Sequence, residues 1–186
     1  MKAPLYTTQK IIDDFSRTHS IPLRLRKPRF WMQRGDAYYD TYTYQFTLPI
    51  KARGAELREF TYHEIGHALI HQFRVPKELI SRFVALSPGL PKKKAILLMC
   101  ESEPAPAGWV SWYAQTSGTE DFCETLGAWA ANGYRTKGKW KFNNFEFDIT
   151  HDRRLQRKIK WVQQIVEVCY FQAQREKVVL TKRKAS

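Results

Sequence analysis

Hydropathy along the chain changes period several times, and each change marks an element. Around residues 7–18, Ile11, Ile12 and Phe15 share one helical side, with Thr7 or Thr8 placed to cap it. From Ile21 to Met32 the pattern alternates, but Pro22 and Pro28 restrict it to broken or edge strands. Gly35-Asp36 reads as a turn across which Met32 and Tyr38 would pair as a hairpin. The clearest strand is Tyr38 to Ile50. Tyr38, Tyr42, Tyr44, Phe46 and Leu48 fall on one face, and Tyr39, Thr41, Thr43, Gln45 and Thr47 on the other.

The period then becomes helical. Ala55 to Phe73 carries an apolar stripe of Leu57, Thr61, Ile65, Ala68 and Leu69. Pro76 opens a second helix through about Leu86, which Ser87-Pro-Gly-Leu-Pro91 ends, and Lys94 to Cys100 reads as a short apolar helix. Glu101 to Gly108 is a loop. Ser117-Gly118 precedes a helix from about Thr119 to Ala131, with Gly133 as its stop. Thr150 or Asp152 opens a last helix to about Gln174, with Leu155, Ile159, Val162, Ile165, Val166 and Cys169 inward. The expected architecture is α+β: one domain over 1–180 with a small, mostly antiparallel sheet and a helical C-terminal half. Residues 181–186 form a basic tail that frays.

Composition narrows the class. Of 186 residues, 43% are hydrophobic and 14% aromatic, which fits a globular domain. No run of eighteen apolar residues offers a membrane span, and the N-terminus lacks the apolar core of a secretory signal. The expected compartment is the cytoplasm, unless export follows a route the sequence does not display. Cys100, Cys123 and Cys169 are odd in number and at no ligand-like spacing, so each is expected to be a small buried hydrophobe in a reducing compartment.

Charge adds a second feature. The chain has 31 Lys and Arg against 18 Asp and Glu, a net +13. Such a field favours acidic partners: acidic proteins, nucleic acid or an anionic membrane surface. The basic residues cluster at Arg24–Arg29, Lys92–Lys94, Arg153–Lys160 and Arg175–Lys184, without a nucleic-acid-binding motif.

The candidate chemistry lies in Thr61-Tyr-His-Glu-Ile-Gly-His-Ala-Leu-Ile-His71, which contains H-E-x-x-H. On a helix, His63 and His67 are stacked on one face and can reach one zinc ion, with Glu64 beside a water on that ion. Gly66 is expected to leave room beside the metal. A catalytic site needs a third protein ligand. His71 continues the four-residue spacing, but helical drift carries it away from a shared ion, and a packing role is expected for it. His19 and His151 are isolated and expected to be exposed. The stronger candidate is Glu120-Asp-Phe-Cys-Glu124, whose two glutamates share a helical face; acids at a helix start also simply complement its dipole.

His63-Glu-Ile-Gly-His67 followed by Tyr113-Ala-Gln-Thr-Ser-Gly-Thr-Glu120-Asp-Phe-Cys-Glu124 resembles the catalytic core of the anthrax lethal factor family, which includes the clostridial Pro-Pro endopeptidases. The likeness spans residues 38 to 175 in layout and these two segments in detail. Members are gluzincins, so the resemblance implies a zincin-like fold and a zinc endopeptidase acting on a protein or peptide. It implies zinc ligands His63, His67 and Glu120, with Glu64 as general base. Tyr113 would be the oxyanion donor, and Glu124 would hold a ligand histidine. The chain is smaller and more basic than the toxins and has neither their delivery domains nor their export signal. The H-E-x-x-H segment is also similar to metallopeptidases that cleave repressors in mobile elements and stress responses. A DNA–protein crosslink protease of the SprT kind would suit the charge but would want a third histidine, for which only His151 is available. Without the resemblance, Tyr113 reads as a core aromatic beside Trp109 and Trp112. Three function classes follow: a zinc endopeptidase, a nucleic-acid-associated or repressor-cleaving protein (its metal catalytic or structural), and a silent relative used for interaction.

Overall fold

The long alternating stretch folds back on itself. In the computed structural model, which describes residues 2–31, 37–86 and 105–185 (side chains from 4 to 177), it is two strands, β2 (Tyr38–Asp40) and β3 (Gln45–Pro49). Asp40 turns the chain between them: its Oδ1 accepts the N–H groups of Tyr42 at 2.8 Å and Thr43 at 3.1 Å. Tyr44 closes the turn in the left-handed region at φ 56°. Tyr39 then pairs with Phe46 across an antiparallel ladder, and both side chains are buried.

β1 (Arg26–Trp31) pairs with β3 in parallel, giving the order β1-β3-β2. β1 does not pair with β2, and the sheet is mixed rather than mostly antiparallel; the expected pairing of Met32 with Tyr38 lies outside the described residues. Phe46 and Leu48 on the central strand bury completely, which an outer strand of a simple hairpin would not achieve. Residues 32–36, including the Gly35-Asp36 turn, lie outside the described residues, as do 87–104 with Lys94–Cys100.

Five α-helices are described. α1 (Lys2–His19) starts earlier than expected and buries Ile11, Ile12 and Phe15. α2 (Gly54–Gln72) packs on α1, β2, β3 and, most extensively, α4 (Gly118–Ala131). This explains why α2 buries more than its apolar stripe: Tyr62, His63, Glu64 and Gly66 are buried as well. α3 (Lys77–Val84) follows Pro76 and seats Phe83 against Phe122 of α4, ring centroids 6.0 Å apart. α5 (Arg153–Ala185) runs well past Gln174, since nothing in the sequence breaks it there. Between α4 and α5 lies a hairpin absent from the expectations, β4 (Lys139–Phe142) and β5 (Phe145–Asp148). Asn143 and Asn144 form its two-residue turn at φ 48° and 65°. No helix among the described residues is long and apolar enough to cross a membrane. Cys123 and Cys169 are buried and free, as expected of small hydrophobes; Cys100 lies outside the described residues.

Candidate metal centre

Two helices supply the site, and their close approach sets it. A Cβ on Gly66 would stand 2.8 Å from Cys123 Sγ and 2.9 Å from Cys123 Cα, so α2 and α4 meet backbone to backbone there. Gly66 thus makes room for α4, not for a metal. Gly127, one turn further along α4, lies beside the backbone of His63. The start of α4 is fixed by Ser117, whose Oγ accepts the N–H of Glu120 at 3.1 Å. That cap places Glu120 in the first turn, facing the histidines of α2.

His63, His67 and Glu120 could hold a metal ion. The two Nε2 atoms are 3.2 Å apart, and Glu120 Oε2 lies 3.1 Å from His63 Nε2 and 3.4 Å from His67 Nε2. Ligands about 2.0 Å from a tetrahedral ion stand about 3.3 Å from one another, so three such separations describe one face of a tetrahedron. Glu120 Oε2 is buried and, despite these short distances, makes no hydrogen bond of good geometry. Its oxygen and the two imidazole nitrogens converge on a shared point instead of on each other. The donor set therefore fits a cation.

Behind this face, Glu124 Oε1 lies 2.7 Å from His63 Nδ1, which leaves Nε2 for the metal side. Glu124 Oε2 accepts the side-chain amide of Asn143 at 3.2 Å, and the Asn143 N–H donates to Glu59 Oε2 at 3.2 Å. The β4–β5 turn thus braces the site from outside. Neither Asn143 nor Glu59 was expected. The signal was present in Trp140-Lys-Phe-Asn-Asn-Phe-Glu-Phe147, an alternating pair of runs around a two-residue asparagine turn.

Glu64 is 1% exposed, and its Oε2 has no hydrogen-bond partner among the described residues. Burial pushes its carboxyl up to about 7, against the pull of His63 and His67. Burial also opposes charge on His63, but the adjacent carboxylates of Glu120 and Glu124 outweigh it and raise the imidazole far above its usual range. Glu120 is half-buried, and burial alone would raise its carboxyl, yet its histidine neighbours hold it well below the usual carboxylate range. The cluster is built to keep positive charge between these groups.

Tyr113, at the start of a 3-10 turn (Tyr113–Thr116), is 36% exposed with its ring centroid 5.8 Å from that of His63. It lines the cleft instead of the core, unlike the reading that groups it with Trp109 and Trp112. His71 stands off the site, 3.3 Å from the Tyr39 hydroxyl and packed against Tyr44. His151 is exposed, as expected. His19 is not: its ring packs among Phe15, Trp129 and Tyr134, and burial lowers its pKa. Two cavities flank the centre. One is lined by Ala37, Phe60, Phe142 and Glu59, the other by Tyr38, Tyr39, Thr41 and Ile70, and His63, Glu64 and Tyr113 border both.

No protein-family model, curated protein or solved structure matches the chain.

Proposed function

We propose that the chain is a zinc-dependent endopeptidase of zincin-like fold, cleaving a peptide bond in a protein substrate. One observation carries the reading: two imidazoles and a carboxylate at tetrahedral spacing, beside a buried glutamate that has an unpartnered oxygen. Two nitrogens and one oxygen suit zinc with an open position. Zinc, when bound, supplies a Lewis acid that brings the pKa of a coordinated water toward neutrality and polarises a carbonyl.

The protein's own groups do the rest. Glu64 accepts a proton from the attacking water and returns it to the leaving amine. Tyr113 donates a hydrogen bond to the oxyanion from the cleft wall. Glu124 fixes the tautomer and angle of His63. β2 is an edge strand among the described residues and borders the cleft, so an extended peptide can lie across the centre and pair with that edge. The net charge of +13 favours substrates with acidic surfaces.

Elemental analysis of purified protein tests the reading. Wild type is expected to carry about one zinc per chain, lost in His67→Ala and Glu120→Ala. Glu64→Gln should keep the metal and lose hydrolysis of a peptide library. A wild type that takes up no zinc on reconstitution, or a Glu120→Ala variant that retains it, sinks the assignment.

A further inference from the structure

The protein is strongly basic, yet among the described residues no lysine or arginine lines the cavity on the Glu59 side of the centre. Its volume is about 180 Å³, and it is lined by Ala37, Phe60, Tyr113 and Phe142, by His63 and Glu64 of the centre, and by Glu59, Glu124 and Asn143. Glu59 and His63 are one helical turn apart on the same face of α2, so the cavity extends from the centre about 6 Å towards the N-terminus of that helix.

The acids lining it are not equivalent. Glu124 is occupied on both oxygens by His63 and Asn143. Glu64 is almost fully buried, its Oε2 has no partner among the described residues, and it borders both cavities at the centre. Glu59 accepts only the Asn143 N–H, on Oε2, and has no lysine, arginine or histidine within ion-pairing distance among the described residues. A half-buried carboxylate left without a cation, at the end of an apolar passage, is costly unless something supplies the charge.

We propose that Glu59 is the specificity-determining residue of the cleft, receiving a cationic nitrogen of the substrate next to the scissile bond. The inference rests on the metallopeptidase reading above. A lysine or arginine fits the passage: its aliphatic stem lies along Phe60 and Phe142 while the charged end reaches Glu59. A free substrate N-terminus presents the same chemistry, and the experiment separates the two.

The probes are N-acetylated amino-acid hydroxamates and the matching succinyl hydroxamates, which anchor on zinc and place the side chain on either side of it. Binding to zinc-loaded protein is measured at pH 8 by calorimetry. In one series the lysine probe should bind wild type at least tenfold tighter than the isosteric norleucine probe. Glu59→Gln should reduce that preference to about twofold or less, while its zinc content, equal to wild type, shows that the variant is folded. Glu59→Lys should transfer the preference to the glutamate probe. Equal lysine and norleucine affinities in wild type overturn the inference while leaving the metal centre standing. A norleucine hydroxamate with a free amine that gains as much as lysine, and loses it in Glu59→Gln, assigns the pocket to a chain terminus and overturns the side-chain assignment. Failure of every hydroxamate to bind in a zinc-dependent way overturns the metallopeptidase reading and this inference with it.

Discussion

Glu59 and Glu64 stand on one helix, both pushed up to about 7 chiefly by burial, but in different company. Glu64 faces two imidazoles. Glu59 faces Glu124 and Glu56, which raise it further, while the Asn143 N–H and the more distant Lys141 pull it down. Linkage gives the sign. The folded carboxyl holds a proton that the unfolded chain has already released between about pH 4.5 and 7, so its contribution to stability falls as pH rises through that window and is flat above it. Glu59→Gln keeps an acceptor for Asn143 and removes the titration. The variant should therefore gain on wild type between pH 5 and pH 8 by roughly 1 kcal/mol, solvent screening having reduced the full linkage value. That gain is about 2–4 °C in thermal midpoint for a chain of this size. A variant-minus-wild-type difference that does not change with pH would show that Glu59 is an ordinary surface acid.

At the scale of elements, α2 and α4 were legible and the sheet was not. Each helix announced itself by period and punctuation: Ser117 ahead of α4, Gly133 at φ 69° behind it, Pro76 before α3. The candidate ligand histidines came with the helix, because a spacing of four is a statement about one face. The sheet misled because the turn from Thr41 to Tyr44 preserves the alternation of the residues around it, so two short strands read as one long one. A parallel partner such as β1 leaves no local mark at all, since its pairing is decided by the crossover. The close crossing at Gly66 was equally hidden: a glycine in a helix says that something is near, not what. That crossing can be tested. Gly66→Ala drives a methyl group to within 2.9 Å of the Cys123 backbone, which, unlike a side chain, cannot swing away. The variant should lose about 1–3 kcal/mol of stability by denaturant titration. Since α2 and α4 each carry proposed ligands, zinc affinity measured against a chelator should fall at least tenfold with it. Adding Cys123→Ala relieves only the clash with sulfur and should recover only part of both losses.

Across the whole molecule, the net charge of +13 conceals a lysine that, among the described residues, is not on the surface. Lys158 falls in the run Arg153–Lys160, read from sequence as a basic cluster, yet it is 0% exposed. Its spacing gives the reason: with Leu155, Ile159 and Val162 it occupies the inward face of α5. Lys158 Nζ reaches Asp121 Oδ2 at 2.7 Å and lies 3.7 Å from the ring centroid of Trp109. Burial lowers the lysine and raises the aspartate, each against the pull of its partner, so desolvation outweighs their attraction. The pair is therefore a poor source of net stability and a good device for register, because only one alignment of α5 on α4 satisfies both charges. Asp121 directly follows Glu120 in the chain, which ties the docking of the C-terminal helix to the position of a proposed metal ligand. Lys158→Met leaves Asp121 buried without its cation and should cost about 3–5 kcal/mol in chemical denaturation. Asp121→Asn/Lys158→Met removes both charges and should return to within about 1–2 kcal/mol of wild type. Zinc affinity separates register from mere stability: it should drop in the single variant under conditions where the protein is still folded, and remain below wild type in the stable double variant. Full zinc affinity in the double variant would mean that packing alone sets Glu120, and that the buried pair plays no part in aligning the centre.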